Sequence, residues 1–359
     1  MEKQKFTDIN ELYEKFFSNA VNKQQKMIDG FEILANIEFD ERYKTPKELV
    51  YEEDKMKIYH YHPISEKKTT IPTLIVYALM NRPYVMDLQS EKSFVRKLLE
   101  EGLDLYMLDW GYPTAEDRYI TFEDYIEGYL ANAVEFLKKK HNVKQINIMS
   151  KCQGGTFCAI YASMFPENIK NLVTIASPFD FDIEDGLLFK WAKYMDVDSL
   201  VDAFGVVPGQ FLNMCFVSLR PYELLFDKYV AIINRLDNPK VLKDFLSVES
   251  WIFDSPGQAG EAYRKYMKDL WQENKLIKGE FKMNGRAIDL KAIKMPLLNI
   301  VGEKDNLIPP SSSIPLNDLV ASKDKELHSF PLGHAGIVAS SLSQKKVAPL
   351  VAQWLLSRS

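Results

Sequence analysis

The stretch QINIMSKCQGGTFCAIYA constrains this chain more than any other. A strand-like run, QINIM, enters a tight turn with Cys152 at its apex, and a helix-like run follows at once. A side chain at such an apex stands above the carboxyl edge of a sheet, and small residues two positions to either side let strand and helix approach. Ser150 and Gly154 are those small residues, with Gly155 beside them. The helix after Cys152 points its positive end at the sulfur, which favours thiolate, and the backbone N–H of Gln153 is a candidate oxyanion donor. Taken alone, SKCQGG is also compatible, as the less favoured reading, with a glycine-rich turn that carries no chemistry.

The surrounding chain gives the turn its context. From Thr73, the short apolar runs TLIVYA, LDLYMLDW, QINIM and NLVTIA alternate with amphipathic stretches of helix length, which predicts a parallel sheet covered by helices. Residues 1–50 show helical periodicity and many charges, as from Asn10 to Ala35, and read as an N-terminal helical arm. From Phe179 to Lys294 no clean strand is visible. That stretch is rich in Trp, Phe, Tyr and Met, reads mostly as helices, and is interrupted at WIFDSPGQAG. We expect a cap insertion over 179–294, within a core formed by 51–178 and 295–359. In the second part of the core, PLLNIVGEKD restarts the strand–helix rhythm. A helix near Ser313 to Ser322, the strand ELHSFP, a turn at Gly333 and a final helix to Leu356 follow. Neither an internal repeat nor a flexible Gly/Ser linker is present, so the insertion is an elaboration of one domain.

A cysteine nucleophile needs a base, and the base needs an orienting acid; on this strand–turn–helix plan they come in the order acid then histidine, after late strands. Asp305 follows LLNIVGE, and His334 lies in PLGHAG after ELHSF, where Gly333 and Gly336 would let the backbone bring the ring to the sheet edge. Taken singly, Asp305 could cap a turn and His334 could be a packed surface residue. His60, His62, His141 and His328 fall before the expected sheet, at a helix end or within a strand, and compete poorly for the base. The second oxyanion donor is expected in VYALMNRPY, from the backbone of Ala78 or Leu79. Arg82 in that loop either attracts an anionic substrate or anchors the loop to a carboxylate. Of the three cysteines, Cys158 and Cys215 sit in apolar surroundings and read as core filler. No cysteine pair or histidine spacing suggests zinc or a structural disulfide.

A formal net charge of -5, spread over mixed segments, argues against nucleic acid as a partner. The charged N-terminus has no signal-peptide character and no apolar run reaches the length of a membrane span, so a cytoplasmic location is expected. Neither GxxxxGKS nor GxGxxG occurs, and no bound cofactor is expected.

At these residues the chain resembles the polyhydroxyalkanoate synthases, whose nucleophile motif Gly-x-Cys-x-Gly-Gly corresponds to Ser150–Gly155. VYALMNRPYVMDLQ, YMLDWGYP, NLVTIASPFDF, DAFGVVPGQFLN, WIFDSPGQAGE and PLGHAGI also resemble that family, from about Lys47 to the C-terminus. NRPY, FDSPGQAGE and the length resemble most the class III enzymes, which work with a partner called PhaE, ahead of class IV, which work with PhaR. The resemblance implies an α/β-hydrolase fold with a mostly parallel sheet, helices on both faces and a largely helical cap. It implies catalysis by Cys152, His334 and Asp305 on short (R)-3-hydroxyacyl-CoA, chiefly 3-hydroxybutyryl-CoA, with coenzyme A only as leaving group. It further implies a growing polyester chain as second substrate, a homodimer formed through the cap, and association with polyester granules. Ser150 departs from the family glycine, and Lys151 precedes the nucleophile, where it either helps to hold a thiolate or faces solvent, the second being slightly favoured. Two rival readings share these parts: a hydrolase that releases the acyl group to water, and a granule scaffold without chemistry.

Overall fold

Each residue of Thr73–Val76, Leu105–Asp109 and Ile146–Lys151 is buried. Strands covered on both faces carry such continuous runs in place of strict alternation. In the computed structural model, which describes residues 45–359 except 234 and 237, they are β3, β4 and β5 of an eight-stranded sheet. The others are β1 (Lys47–Glu53), β2 (Met56–Tyr61), β6 (Ile169–Ile175), β7 (Leu297–Gly302) and β8 (Lys325–Phe330). Their order is β1-β2-β4-β3-β5-β6-β7-β8. β2 is antiparallel to both β1 and β4, and the remaining pairs are parallel. The chain reverses its direction of travel across the sheet between β3 and β5, and such a switch point opens a crevice at the strands' carboxyl ends.

Period-two alternation divides the core. Leu74 and Ile148 face one apolar layer with Phe157, Ile160 and Tyr161; Ile75 and Met149 face the other with Leu98, Val351 and Leu355. The helices α1 (Phe94–Glu100), α2 (Ala131–His141), α3 (Gln153–Met164), α4 (Pro239–Phe253) and α5 (Ala348–Leu356) carry these contacts. Throughout its length α3 is buried, because it lies between the sheet and the cap.

The sequence expectations hold for the sheet from β3 onward and need correction elsewhere. Most of the expected N-terminal arm lies outside the described residues, but its last residues, 47–50, belong to β1. KELVYEE is an edge strand with charged residues on both faces, and it turns into β2 through Asp54, at φ 51°. The stretch 179–294, expected as a cap, carries helices, including Val197–Phe204, Gly209–Leu219 and α4. It also carries two short antiparallel pairs, Val206–Val207 with Gln258–Ala259 and Lys282–Met283 with Arg286–Ala287. WIF of the expected irregular break is the end of α4. The helix expected near 313–322 is two single turns, Pro310–Ser313 and Leu316–Leu319, separated at Pro315. Among the described residues no helix is long and apolar enough to cross a membrane.

Candidate active site

Cys152 joins β5 to α3 with φ 56° and ψ -136°, a conformation that costs an L-residue energy and persists where the surroundings enforce it. The enforcement is visible. The Cys152 N–H donates to the Ile175 carbonyl of β6 at 3.0 Å, and the Gly155 N–H donates to the Cys152 carbonyl at 2.9 Å. A Cβ on Gly154 would come within 2.5 Å of the Val76 carbonyl oxygen, and one on Gly155 within 2.0 Å of Ser177 Oγ. These glycines therefore permit α3 to pack against the ends of β3 and β6. Ser150 fits without strain because its hydroxyl donates to the Val173 carbonyl at 2.9 Å.

The turns after β7 and β8 bring the other two groups to the same edge. His334 Nδ1 meets Asp305 Oδ2 at 2.7 Å, while Asp305 Oδ1 accepts from the Leu307 and Ile308 N–H groups at 3.0 and 2.8 Å. Asp305 is thus fixed by its own turn. The two loops are tied by the Lys304 N–H donating to the Leu332 carbonyl at 3.1 Å. The glycine that this approach requires is Gly302, whose Cβ would lie 2.5 Å from the Leu332 carbonyl oxygen. Gly333 and Gly336, expected to serve that purpose, have ordinary backbone and room for a side chain.

Cys152 and His334 line the same cavity, and each shifts the proton affinity of the other. Burial alone would push the thiol up; the neighbouring His334, the charge of Lys151 and the Gln153 N–H outweigh it and hold Cys152 below the ordinary 9.0. Burial alone would push His334 down; Asp305 and the Cys152 thiolate outweigh it, against an opposing push from Lys151, and raise the ring to about 9. Relative to either group alone, the site favours a thiolate at Cys152 and an imidazolium at His334. Cys158 and Cys215 behave in the opposite way, since burial pushes both thiols up. Cys158 is core, as expected, but Cys215 stands on the wall of the cavity above Cys152.

That cavity, about 230 Å³, lies between Cys152, His334 and the cap, with Trp191, Phe216, Trp251, Tyr263 and Met267 among its walls. Of the loop after β3, the Leu79 N–H is taken by Gln153 Oε1 at 3.0 Å, which leaves Ala78 as the candidate of the pair. Arg82 resolves as an anchor: it is buried, pairs with Asp109 at 2.5 Å, donates to the Gly111 carbonyl at 3.1 Å and stacks on Tyr112. Lys151, expected to face solvent, is 1% exposed. Three of the other histidines have separate partners, His60 with Asp104, His141 with Tyr106 and His328 with Glu326, and His62 is exposed. Among the described residues no cluster of His, Cys, Asp and Glu has the geometry of a metal site.

Sequence reading missed the residues that seat the cap. Asn81, at φ 55°, donates from Nδ2 to the Ile252 carbonyl at 3.1 Å and to Ser255 Oγ at 2.7 Å. The Trp251 indole N–H donates to the Arg82 carbonyl at 2.8 Å, and the Tyr84 and Tyr112 hydroxyls donate to Asp254 at 2.8 and 2.6 Å. NRPY and WIFDS, both singled out in the sequence, are two halves of one joint. An Asn before Arg-Pro, in a position that tolerates left-handed backbone, was the available signal.

Comparison with known proteins agrees with this geometry. The alpha/beta hydrolase fold family matches residues 74–338, and the family described as poly-beta-hydroxybutyrate polymerase (PhaC) N-terminus matches residues 9–98. The poly(3-hydroxyalkanoate) polymerase subunit PhaC of Thiocystis violacea is 43% identical over 96% of this chain and 98% of its own length. The protein of the same name from Synechocystis is 44% identical over 93% of this chain and 91% of its own. Among solved structures, a monoacylglycerol lipase of Paleococcus ferrophilus aligns with TM-score 0.51 at 15% identity. It covers 87% of this chain and 100% of the lipase, a likeness of fold alone.

Proposed function

We propose, on the premise that this chain belongs to the family of poly(3-hydroxyalkanoate) polymerase subunits PhaC, that Cys152 carries the acyl group during polymerisation and that His334, oriented by Asp305, moves the protons. The chain is an acyltransferase that makes polyhydroxyalkanoate. The observation that carries the assignment of residues is the convergence of three loops on one cavity: an enforced elbow at Cys152, His334 on the same cavity wall, and Asp305 bonded to His334.

The cycle follows from the charges. The thiolate of Cys152 attacks the carbonyl carbon of a (R)-3-hydroxyacyl-CoA thioester, chiefly 3-hydroxybutyryl-CoA. The oxyanion is held by the backbone N–H groups of Gln153 and Ala78. The carbon–sulfur bond to coenzyme A breaks, and the departing thiolate takes the proton from His334. Acylation removes the charge on Cys152 that had held the imidazolium, so His334 becomes a base. It takes the proton of a hydroxyl on another unit or chain end, whose oxygen attacks the acyl-Cys152; an ester forms and the thiolate leaves. This chemistry calls for no bound cofactor. The apolar cavity under the cap favours the hydroxyl over water.

A PhaE-type second subunit, pairing of two copies through the cap, and residence on polyester granules in the cytoplasm complete the reading, supported by the resemblance of NRPY and FDSPGQAGE to class III enzymes. The test is incubation with 3-hydroxybutyryl-CoA, with and without a PhaE-type partner, following thiol release and product mass. Thiol release with polymer, both lost in Cys152→Ala, is the expected result. Thiol release with only free hydroxy acid would make the protein a thioesterase, and turnover that survives Cys152→Ala would remove Cys152 from the mechanism.

A further inference from the structure

Lys151 has no part in the steps above, yet it is among the largest fully buried side chains of the protein, and its Nζ finds no hydrogen-bond partner among the described residues. An unpaired amine in that position is expensive. Alternation along β5 puts Lys151 on the Met149 face, and it is absent from the cavity wall. It therefore sits behind the reacting atoms.

What surrounds it is the site itself. The ring of Tyr77, at the end of β3, lies 5.6 Å from Nζ, within cation–π range. Cys152 is its chain neighbour, Asp305 approaches from the loop after β7, and His334 from the loop after β8; all three interact with its charge. Asp305 offers it no hydrogen bond, because its oxygens are committed to His334 and to its own turn. Its register partner on β6, Ile175, is apolar. The Tyr77 phenol, pushed well up by burial and by the Cys152 thiolate, stays neutral.

We propose that Lys151 is a positioning residue of the acyl-transfer cycle: its ammonium supports the Cys152 thiolate and, once Cys152 is acylated, drives the proton off His334 so that the ring returns as the base. The proposal rests on Cys152 as the nucleophile and adds a charge count. With Lys151 charged, the resting site holds two anions, Cys152 and Asp305, and two cations, His334 and Lys151. Acylation removes one anion. The site is then neutral again only when His334 gives its proton to the departing coenzyme A thiolate, which leaves Asp305 opposite Lys151. Without Lys151, the acyl-enzyme is neutral with His334 still protonated, so the ring gives up its proton less readily. Burial holds the Lys151 amine below its ordinary 10.5, against the raising effect of Cys152 and Asp305, which keeps its charge dependent on those two anions.

The test compares Lys151→Met, which keeps length and removes charge, with Lys151→Arg, which keeps charge. Iodoacetamide alkylation of Cys152 is followed by peptide mass spectrometry across pH. Decay of the acyl-Cys152 formed from 3-hydroxybutyryl-CoA is followed in single turnovers. The expected result for Lys151→Met is an alkylation midpoint moved up by about one pH unit, about tenfold slower labelling on the acid side, and slower transfer from acyl-Cys152. Lys151→Arg should stay close to wild type in labelling midpoint. Because Lys151→Met removes an unpaired buried amine, its thermal midpoint should rise; should it fail to fold, Lys151→Gln carries the same comparison. Unchanged labelling and transfer in the uncharged variant, whatever its stability, would reduce Lys151 to a structural residue. Labelling reads Cys152 whether or not it is catalytic, so this failure is distinct from the survival of activity in Cys152→Ala.

Discussion

Cys152, His334 and Asp305 are each ordinary residue types whose chemistry is set by what surrounds them. The Cys152–His334 pair gains a proton arrangement that neither would hold alone, with the thiol held low and the ring raised to about 9. Asp305→Asn keeps the shape and removes the charge. His334 should then titrate well below about 9 by NMR, and polymer formation should fall on the order of 10²–10⁴-fold. A raised histidine also marks stability. Its contribution is complete below the ordinary value of 6.5 and is lost as pH rises through about 9. The stability margin of wild type over His334→Gln, measured as the difference in urea midpoints, should therefore shrink between pH 6.5 and 9. A margin that stayed flat across that range would mean that His334 is not held as an imidazolium.

The elbow is the element that concentrates these effects. Gly154→Ala would drive a methyl group against the Val76 and Tyr77 carbonyls. It should cost about 1–3 kcal/mol in denaturant unfolding and slow thiol release more than its stability loss explains, since Cys152 moves with α3. Ser150→Gly should do far less, about 1 kcal/mol for one satisfied hydrogen bond to Val173, with thiol release near wild type. This element was readable because its signal is local: strand, apex and helix follow one another in the chain, and small residues flank the apex. Asp305 and His334 were readable because each follows a run with strand character. β1 was not, because an edge strand with KELVYEE shows neither alternation nor an apolar run. Of the two readings open for Lys151, the solvent-facing one was preferred for a related reason and fails: charge suggests solvent, and only its place two residues after Met149 pointed inward. The bond from Leu79 to Gln153 joins residues far apart in sequence, which no local pattern reports.

At the scale of the whole molecule, residues of 179–294 and the loops at the sheet edge line one cavity with Cys152, so on the proposed mechanism the joint between them governs which acceptor reaches acyl-Cys152. A hydroxyl on the polyester and a water molecule compete for the same carbonyl carbon, and the base that activates one activates the other. Selection must therefore come from access, which the apolar cavity supplies only while the cap stays seated. Asn81 makes bonds to the Ile252 carbonyl and Ser255 from a left-handed backbone position. Asn81→Ala removes those bonds and leaves a residue less suited to that conformation, together about 2–3 kcal/mol against the seated cap. Asn81 shares the cavity wall with Cys152 and His334 but makes its side-chain bonds to Ile252 and Ser255, so the first thiol release should persist. The expected change is in product: more free 3-hydroxybutyrate for each unit of polymer, with faster proteolytic cleavage within 179–294. Faster cleavage with an unchanged product ratio would show that water is excluded by the cavity lining itself, independent of how firmly the cap is held.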